Sequence, residues 1–228
     1  QCVVHVHRPT GSVGLVTDPL HLAAVRDAES TRILDTLSEW LAIPSISAHP
    51  DHADAVRASA AFLAARAAEA GLEHVEVVET AGHPAVIADW LHAGPDAPTV
   101  VIYGHHDVQP VDPVAAWTHP PFEATYIDGE CRARGAIDDK GQVLYQLEAL
   151  RALLASTGRL PVNVVLLVEG EEEIGSPNFE DLLLAHRARF TCDAIVVSDT
   201  GMLAEDLPSV DVSMRGLVAC TVRITTAT

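Results

Sequence analysis

The sequence predicts an α/β fold with a mixed, mostly parallel sheet covered by helices on both faces, and three observations lead there. Short β-branched segments alternate with stretches of helical periodicity along most of the 228 residues. The run Val162–Val168 is apolar at almost every position rather than at every second one, so neither of its faces can meet water. With 48% hydrophobic and 20% charged residues, 14 Gly and 14 Pro, the composition is that of a chain with a real core and excludes a disordered, collagenous or disulfide-scaffold protein.

Residues 1–17 contain Val and Leu but are broken by His5, His7, Arg8 and Pro9, so a loose tail is expected there, with no signal segment or membrane span. The chain opens on Gln1 and not on Met, which suggests part of a longer product. Asp18 followed by Pro19 reads as an N-cap with proline at the first helical position, and Leu22, Val25, Ile33, Leu34, Leu37 and Leu41 recur at helical spacing until Pro44. A second helix should run from about Asp51 to Gly71. The period then shortens: Val75–Val78, Pro84–Trp90 and Thr99–Tyr103 read as strands, and Phe122–Ile127 with Asp128-Gly129 and a return to Arg134 reads as a hairpin. A helix from about Lys140 to Ser156 carries Leu144, Leu147, Leu150, Leu153 and Leu154 on one face. The strand Val162–Val168, a helix from about Asn178 to Arg189, the strand Ala194–Val197 and a last strand Val218–Thr225 complete the pattern.

A formal charge of −18, from 32 acidic and 14 basic residues, repels phosphate backbones and anionic headgroups, so neither nucleic acid nor membrane is an expected partner. Cys2, Cys131, Cys192 and Cys220 form no C-x-x-C pair, which excludes a zinc ribbon or dithiol motif and fits a reduced, cytoplasmic chain. The single lysine is Lys140.

Four polar clusters fall where predicted strands end or a helix begins. They are Gly104-His105-His106-Asp107, Asp138-Asp139-Lys140-Gly141, the acidic run Glu169–Glu173, and Ser198-Asp199. In open α/β sheets ligands bind at the carboxyl ends of strands. Taken singly, each cluster reads as an ordinary surface pair, helix cap or turn. Together, one imidazole and several carboxylates on one rim are a ligand set for divalent cations, which would also offset their mutual repulsion.

These strings, GHHDVQP (104–110), ARGAIDDKG (133–141), EGEEEIGS (169–176), VVSDTG (196–201) and MRG (214–216), resemble the co-catalytic dinuclear zinc peptidases and amidohydrolases. That family includes carnosinase-like dipeptidases, glutamate carboxypeptidases, aminoacylases and a desuccinylase. Trp117, Pro121-Phe122 and Asp199 look most like the dipeptidase branch. The resemblance implies the amino-terminal part of a zinc-peptidase-like catalytic domain over 18–213 and, over 214–228, the first strand of a lid and dimerisation domain at which the chain is truncated.

The resemblance further implies two divalent ions, zinc first, with Mn or Co as alternatives. Asp138 would bridge them, His105 and Asp199 would complete one ion, and Glu173 would serve the other. Asp107 would hold the His105 ring. Glu172 would be the general base, moving a proton from a metal-bridging water to the leaving amine of a small peptide substrate. The peptide Asp138–Asp139 is cis in such proteins. Lys140 reads as a surface residue or, more interestingly, as half of a structural ion pair. His106 stands where the family often has an aromatic residue and is expected to be a bystander; His49, His52, His74, His83, His92 and His186 are expected to face solvent.

The family's last metal ligand and its substrate-contacting His come from segments beyond the MRG strand, and no His follows His186 here. The second ion is therefore expected to be held more weakly, activity to be impaired, and dimerisation to belong to the full-length relative. Two alternatives stand beside dipeptide hydrolysis. One is deacylation of N-acyl amino acids, disfavoured because the family's deacylases commonly carry Glu at the position of Asp199. The other is a metal-binding fragment without turnover.

Overall fold

The computed structural model describes residues 19–201 and, beyond them, 204, 207, 209, 211, 216, 218 and 220–225. The expected tail over 1–17 and the expected boundary at 213/214 lie outside the described residues. Helix α1 (Pro19–Leu41) ends in Trp40 and Leu41, both fully buried, and the chain breaks before Pro44. Helix α2 (Ala53–Glu69), entered through a 3-10 turn at Pro50–His52, buries Val56, Ala60, Leu63 and Ala67. Helix α3 (Lys140–Thr157) buries Val143, Leu144, Leu147 and Leu150.

The strands are β1 (Glu73–Val78), β2 (Ala85–Trp90), β3 (Thr99–His105), β4 (Thr125–Ile127), β5 (Glu130–Arg132), β6 (Asn163–Glu169) and β7 (Ala194–Val197). Five of them form one sheet in the order β1-β2-β6-β3-β7. The β1–β2 and β2–β6 pairs are antiparallel and the β6–β3 and β3–β7 pairs parallel, so β2 alone runs against the other four strands. β4 and β5 form the hairpin that Asp128-Gly129 predicts. Both turn residues have positive φ, 55° and 84°, as a right-twisted two-residue hairpin requires.

Alternate positions of β2 and β6 feed two cores. Val86, Ala88, Val164, Leu166 and Val168 pack with Trp40, Leu63 and Leu147 under α1, α2 and α3. Ile87, Val165 and Leu167 pack with Leu182 and Phe179 of the short helix α4 (Phe179–Ala185) on the other face. Both strands are buried at every residue, the doubly covered pattern read from their apolar runs.

Two expectations are corrected, and one strand is less covered than its composition suggests. The helix predicted to Arg189 ends at Ala185 and continues as a 3-10 turn, Arg187–Phe190. There Arg189 turns back to bond Glu76, Asp89 and the carbonyl of His74, and those bonds compete with helical continuation. β7 is as apolar as β6 but exposed throughout, because it is the outer strand and no described helix covers it. Over Val218–Thr225 the described residues have no strand pairing and are exposed; a strand needs a neighbouring ladder, and none lies beside them among the described residues.

Candidate metal centre

The three parallel strands β6, β3 and β7 deliver their carboxyl ends to one edge. Register pairs His105 with Glu169 and Tyr103 with Val197, which brings Asp199, two residues past Val197, level with His105. The start of α3 supplies Asp138 and Asp139 across a cis peptide bond. α3 can press this close because position 104 is glycine: a Cβ there would lie 2.6 Å from Asp139 Oδ2. That oxygen instead accepts the backbone N–H of His105 at 3.2 Å.

His105 is fully buried. Its Nδ1 lies 3.1 Å from the carbonyl oxygen of Asp107, and since a carbonyl only accepts, Nδ1 carries the proton and donates. Nε2 makes no hydrogen bond although carboxylate oxygens surround it: Asp138 at 3.0 Å, Asp199 at 3.7 Å and Glu172 at 4.0 Å. Ligand atoms of His105, Glu172 and Asp199 lie within 4.8 Å of one another, and so do those of His105, Asp138 and Glu173. Burial disfavours a charged ring, but the carboxylates of Asp107, Asp138 and Asp199 outweigh it and hold its pKa well above the ordinary value.

Asp107, also fully buried, ties the pieces together. One carboxylate oxygen accepts the backbone N–H of Glu172 at 3.3 Å and the other that of Glu173 at 3.1 Å. The adjacent glutamates then diverge. Glu173 accepts the backbone N–H of Gln109 at 3.1 Å and its side-chain amide at 2.6 Å, whereas the Glu172 carboxylate has no hydrogen-bond partner among the described residues. Burial raises the pKa of both. Asp139, also buried, is pushed up to about 7 by desolvation. Asp199 moves the other way, its pKa lowered chiefly by the His105 ring.

All six residues singled out from the sequence, His105, Asp107, Asp138, Glu172, Glu173 and Asp199, thus meet at one edge. Two neighbouring expectations need correction. Lys140 is neither a surface residue nor half of an ion pair: it is fully buried, and its Nζ donates to the carbonyls of Trp40 at 3.0 Å and Ile43 at 2.7 Å. Each of these carbonyls also accepts a backbone N–H, from Ile43 and Ser45 respectively, and their second lone pairs take the place of a carboxylate; burial brings the amine down to about 7. His106 stays out of the carboxylate ring as expected, but it is wholly buried, donating from Nε2 to Pro84 O at 2.9 Å. Of the histidines expected to face solvent, His49, His52, His83 and His186 are instead half-buried, His52 and His83 bonding the carbonyls of Pro44 and Ser47.

Sequence reasoning gave no separate role to three residues that shape the edge. Glu169 is buried and accepts the Tyr103 hydroxyl at 2.6 Å and that of Ser176 at 2.9 Å. Glu171 receives the amide of Asn178 and the backbone N–H of His83. The third is Gln109. The only signal for any of them was membership of the same motif strings.

Residues 101–224 match peptidase family M20/M25/M40. The chain is 32% identical over 213 residues to Beta-Ala-His dipeptidase of Mus musculus, covering 87% of this chain and 43% of the relative. It is 34% identical over 186 residues to the cysteinylglycine-S-conjugate dipeptidase of Corynebacterium striatum, covering 81% and 40%. The crystal structure of human carnosine dipeptidase 1 superimposes with a TM-score of 0.73 at 33% identity, over 78% of this chain and 40% of that one. The chain thus spans about two-fifths of the length of the curated relatives it matches.

Proposed function

The chain belongs to peptidase family M20/M25/M40, and from that premise we propose that it carries the metal centre of a dipeptidase, which hydrolyses short peptides with Glu172 as the proton carrier. The observation that carries the reading is the Nε2 of His105. Its partner nitrogen donates to a carbonyl, so Nε2 is the nitrogen left to face the three carboxylates, buried and without a hydrogen bond. Carboxylates gathered this closely repel one another unless a cation lies among them: a proton on Nε2 does this when no metal is bound, and a metal ion ligated by Nε2 takes the proton's place. One imidazole nitrogen and several carboxylates suit zinc, with Mn or Co as alternatives.

Two ions would be held as follows: Asp138 shared, His105 and Asp199 on the first, Glu173 on the second. Bound divalent ions would supply Lewis-acid polarisation of the scissile carbonyl and a lowered pKa for the attacking water. The chain's own residues do the rest. Asp107 fixes the tautomer of His105 and the backbone of both glutamates. Glu172, free of hydrogen bonds and with its pKa raised by burial, takes a proton from the attacking water and gives it to the departing amine nitrogen. A reducing compartment such as the cytoplasm fits Cys131, Cys192 and Cys220, which are all free thiols.

The test is an assay of the zinc-loaded protein against a dipeptide panel and an N-acyl amino acid panel, with Glu172→Gln beside it. Dipeptides should be cleaved in preference, and the variant should lose about 10²–10⁴-fold in turnover while retaining its metal. Cleavage of acyl amino acids alone would replace the peptidase by a deacylase. Loss of metal in Glu172→Gln, with Glu173→Gln unaffected, would reverse the two roles.

A further inference from the structure

Two adjacent glutamates have to do different jobs at this edge, and their backbones do not tell them apart. Asp107 takes the N–H of both, through one carboxylate oxygen each. The difference lies in the side chains and comes from one residue. Gln109 gives its backbone N–H to Glu173 Oε1 at 3.1 Å and its side-chain amide to Oε2 at 2.6 Å, and that amide also reaches the carbonyl of Glu173 at 3.3 Å. Gln109 is exposed, so these bonds, and not core packing, are what its side chain contributes.

We propose that Gln109 is a positioning residue: it clamps both oxygens of Glu173 and holds that carboxylate as a ligand for the second ion, leaving Glu172 free to move a proton. A carboxylate oxygen has about two lone-pair sites, so one donor on each oxygen orients the group and leaves a site on each for a cation. A glutamate without such a clamp must lose the freedom of its rotatable bonds when it ligates. The inference rests on the metal-centre reading and goes beyond it, assigning a role to a residue that touches no metal.

The experiment is a calorimetric zinc titration of the demetallated chain and of Gln109→Met, which keeps the length and the backbone N–H but removes the amide. Thermal unfolding of both metal-free proteins runs alongside. Loss of an outer hydrogen bond to a metal ligand typically costs 10–100-fold in affinity. The weaker of two binding steps should therefore fall by about tenfold, with the tighter step and the metal-free melting temperature unchanged. Superimposable isotherms, an equal fall in both steps, or a lower melting temperature that accounts for the change would overturn the clamp. A parent chain with one binding step would overturn the two-ion assignment on which the clamp acts. A parent chain that binds no zinc would overturn the metal centre itself.

Discussion

His105 and His106 are neighbours at the end of β3 and equally buried, both at 0% exposure, yet their environments drive them in opposite directions. Successive side chains of a strand face opposite sides of the sheet. His105 enters the ring of carboxylates and its pKa rises, while His106 enters a wall of backbone carbonyl and packed side chains, where burial lowers it to about 4. Burial alone therefore does not decide the charge of a histidine here; the partners it meets do. The rim is built to hold positive charge and the wall behind it to exclude charge, within two consecutive residues.

The largest effect that would sharpen this contrast is the loss of the rim imidazole. His105→Ala should weaken zinc binding by more than about 100-fold, beyond the usual cost of an outer-sphere change, as read by calorimetry. His106→Ala should do the reverse, leaving zinc affinity unchanged and costing about 3 kcal/mol of stability in denaturant unfolding through a cavity in a closed wall. If His106→Ala released metal, the division between rim and wall would be wrong.

A finer cut is His106→Phe. It forfeits the bond to Pro84 O but also removes Nδ1, which is buried without a partner. The two effects offset, and the variant should unfold within about 1 kcal/mol of the parent.

The smallest effect lies far from both, at β1, where the exposed His74 ring bonds the buried Asp89 at 2.7 Å and takes a φ of 46° at a break in strand register. The hydrogen bond to Asp89 raises its pKa above the ordinary 6.5. The folded state thus binds the proton more tightly, so this contact is fully present below about pH 6.5 and fades as pH rises through the raised value. His74→Ala should flatten a shallow decline in melting temperature between pH 6 and 8, followed by scanning calorimetry. An unchanged slope would show that the decline belongs to other groups.

The sheet was legible from the sequence because its inner strands carry a local signature: β2 and β6 are apolar at most positions, β2 following Pro84 and β6 lying between Pro161 and Gly170. The six rim residues were legible because each sits just past a strand end or at a helix start, where side chains must converge on the carboxyl edge. What stayed hidden depends on long-range pairing. Nothing in the sequence says that Lys140 will meet the carbonyls of Trp40 and Ile43, about a hundred residues earlier. Nor does it say that the amide of Gln109 will select the second of two glutamates 64 residues away. The turn that ends α4 at Ala185 is set by Arg189 reaching back to β1 and β2, a contact that helical periodicity cannot register.

Lys140 is the only side-chain amine in the 228 residues, and it is sealed between α1 and the start of α3. An amine-directed reagent therefore finds no lysine on the folded surface, and the rate at which it acylates this residue reports how often the joint between the first helix and the aspartate pair comes apart. At neutral pH that rate is a built-in clock for breathing of the site. It is read by mass spectrometry of the peptide that carries Lys140, which separates it from the terminal amine, and zinc should slow it by about the factor by which it stabilises the closed state.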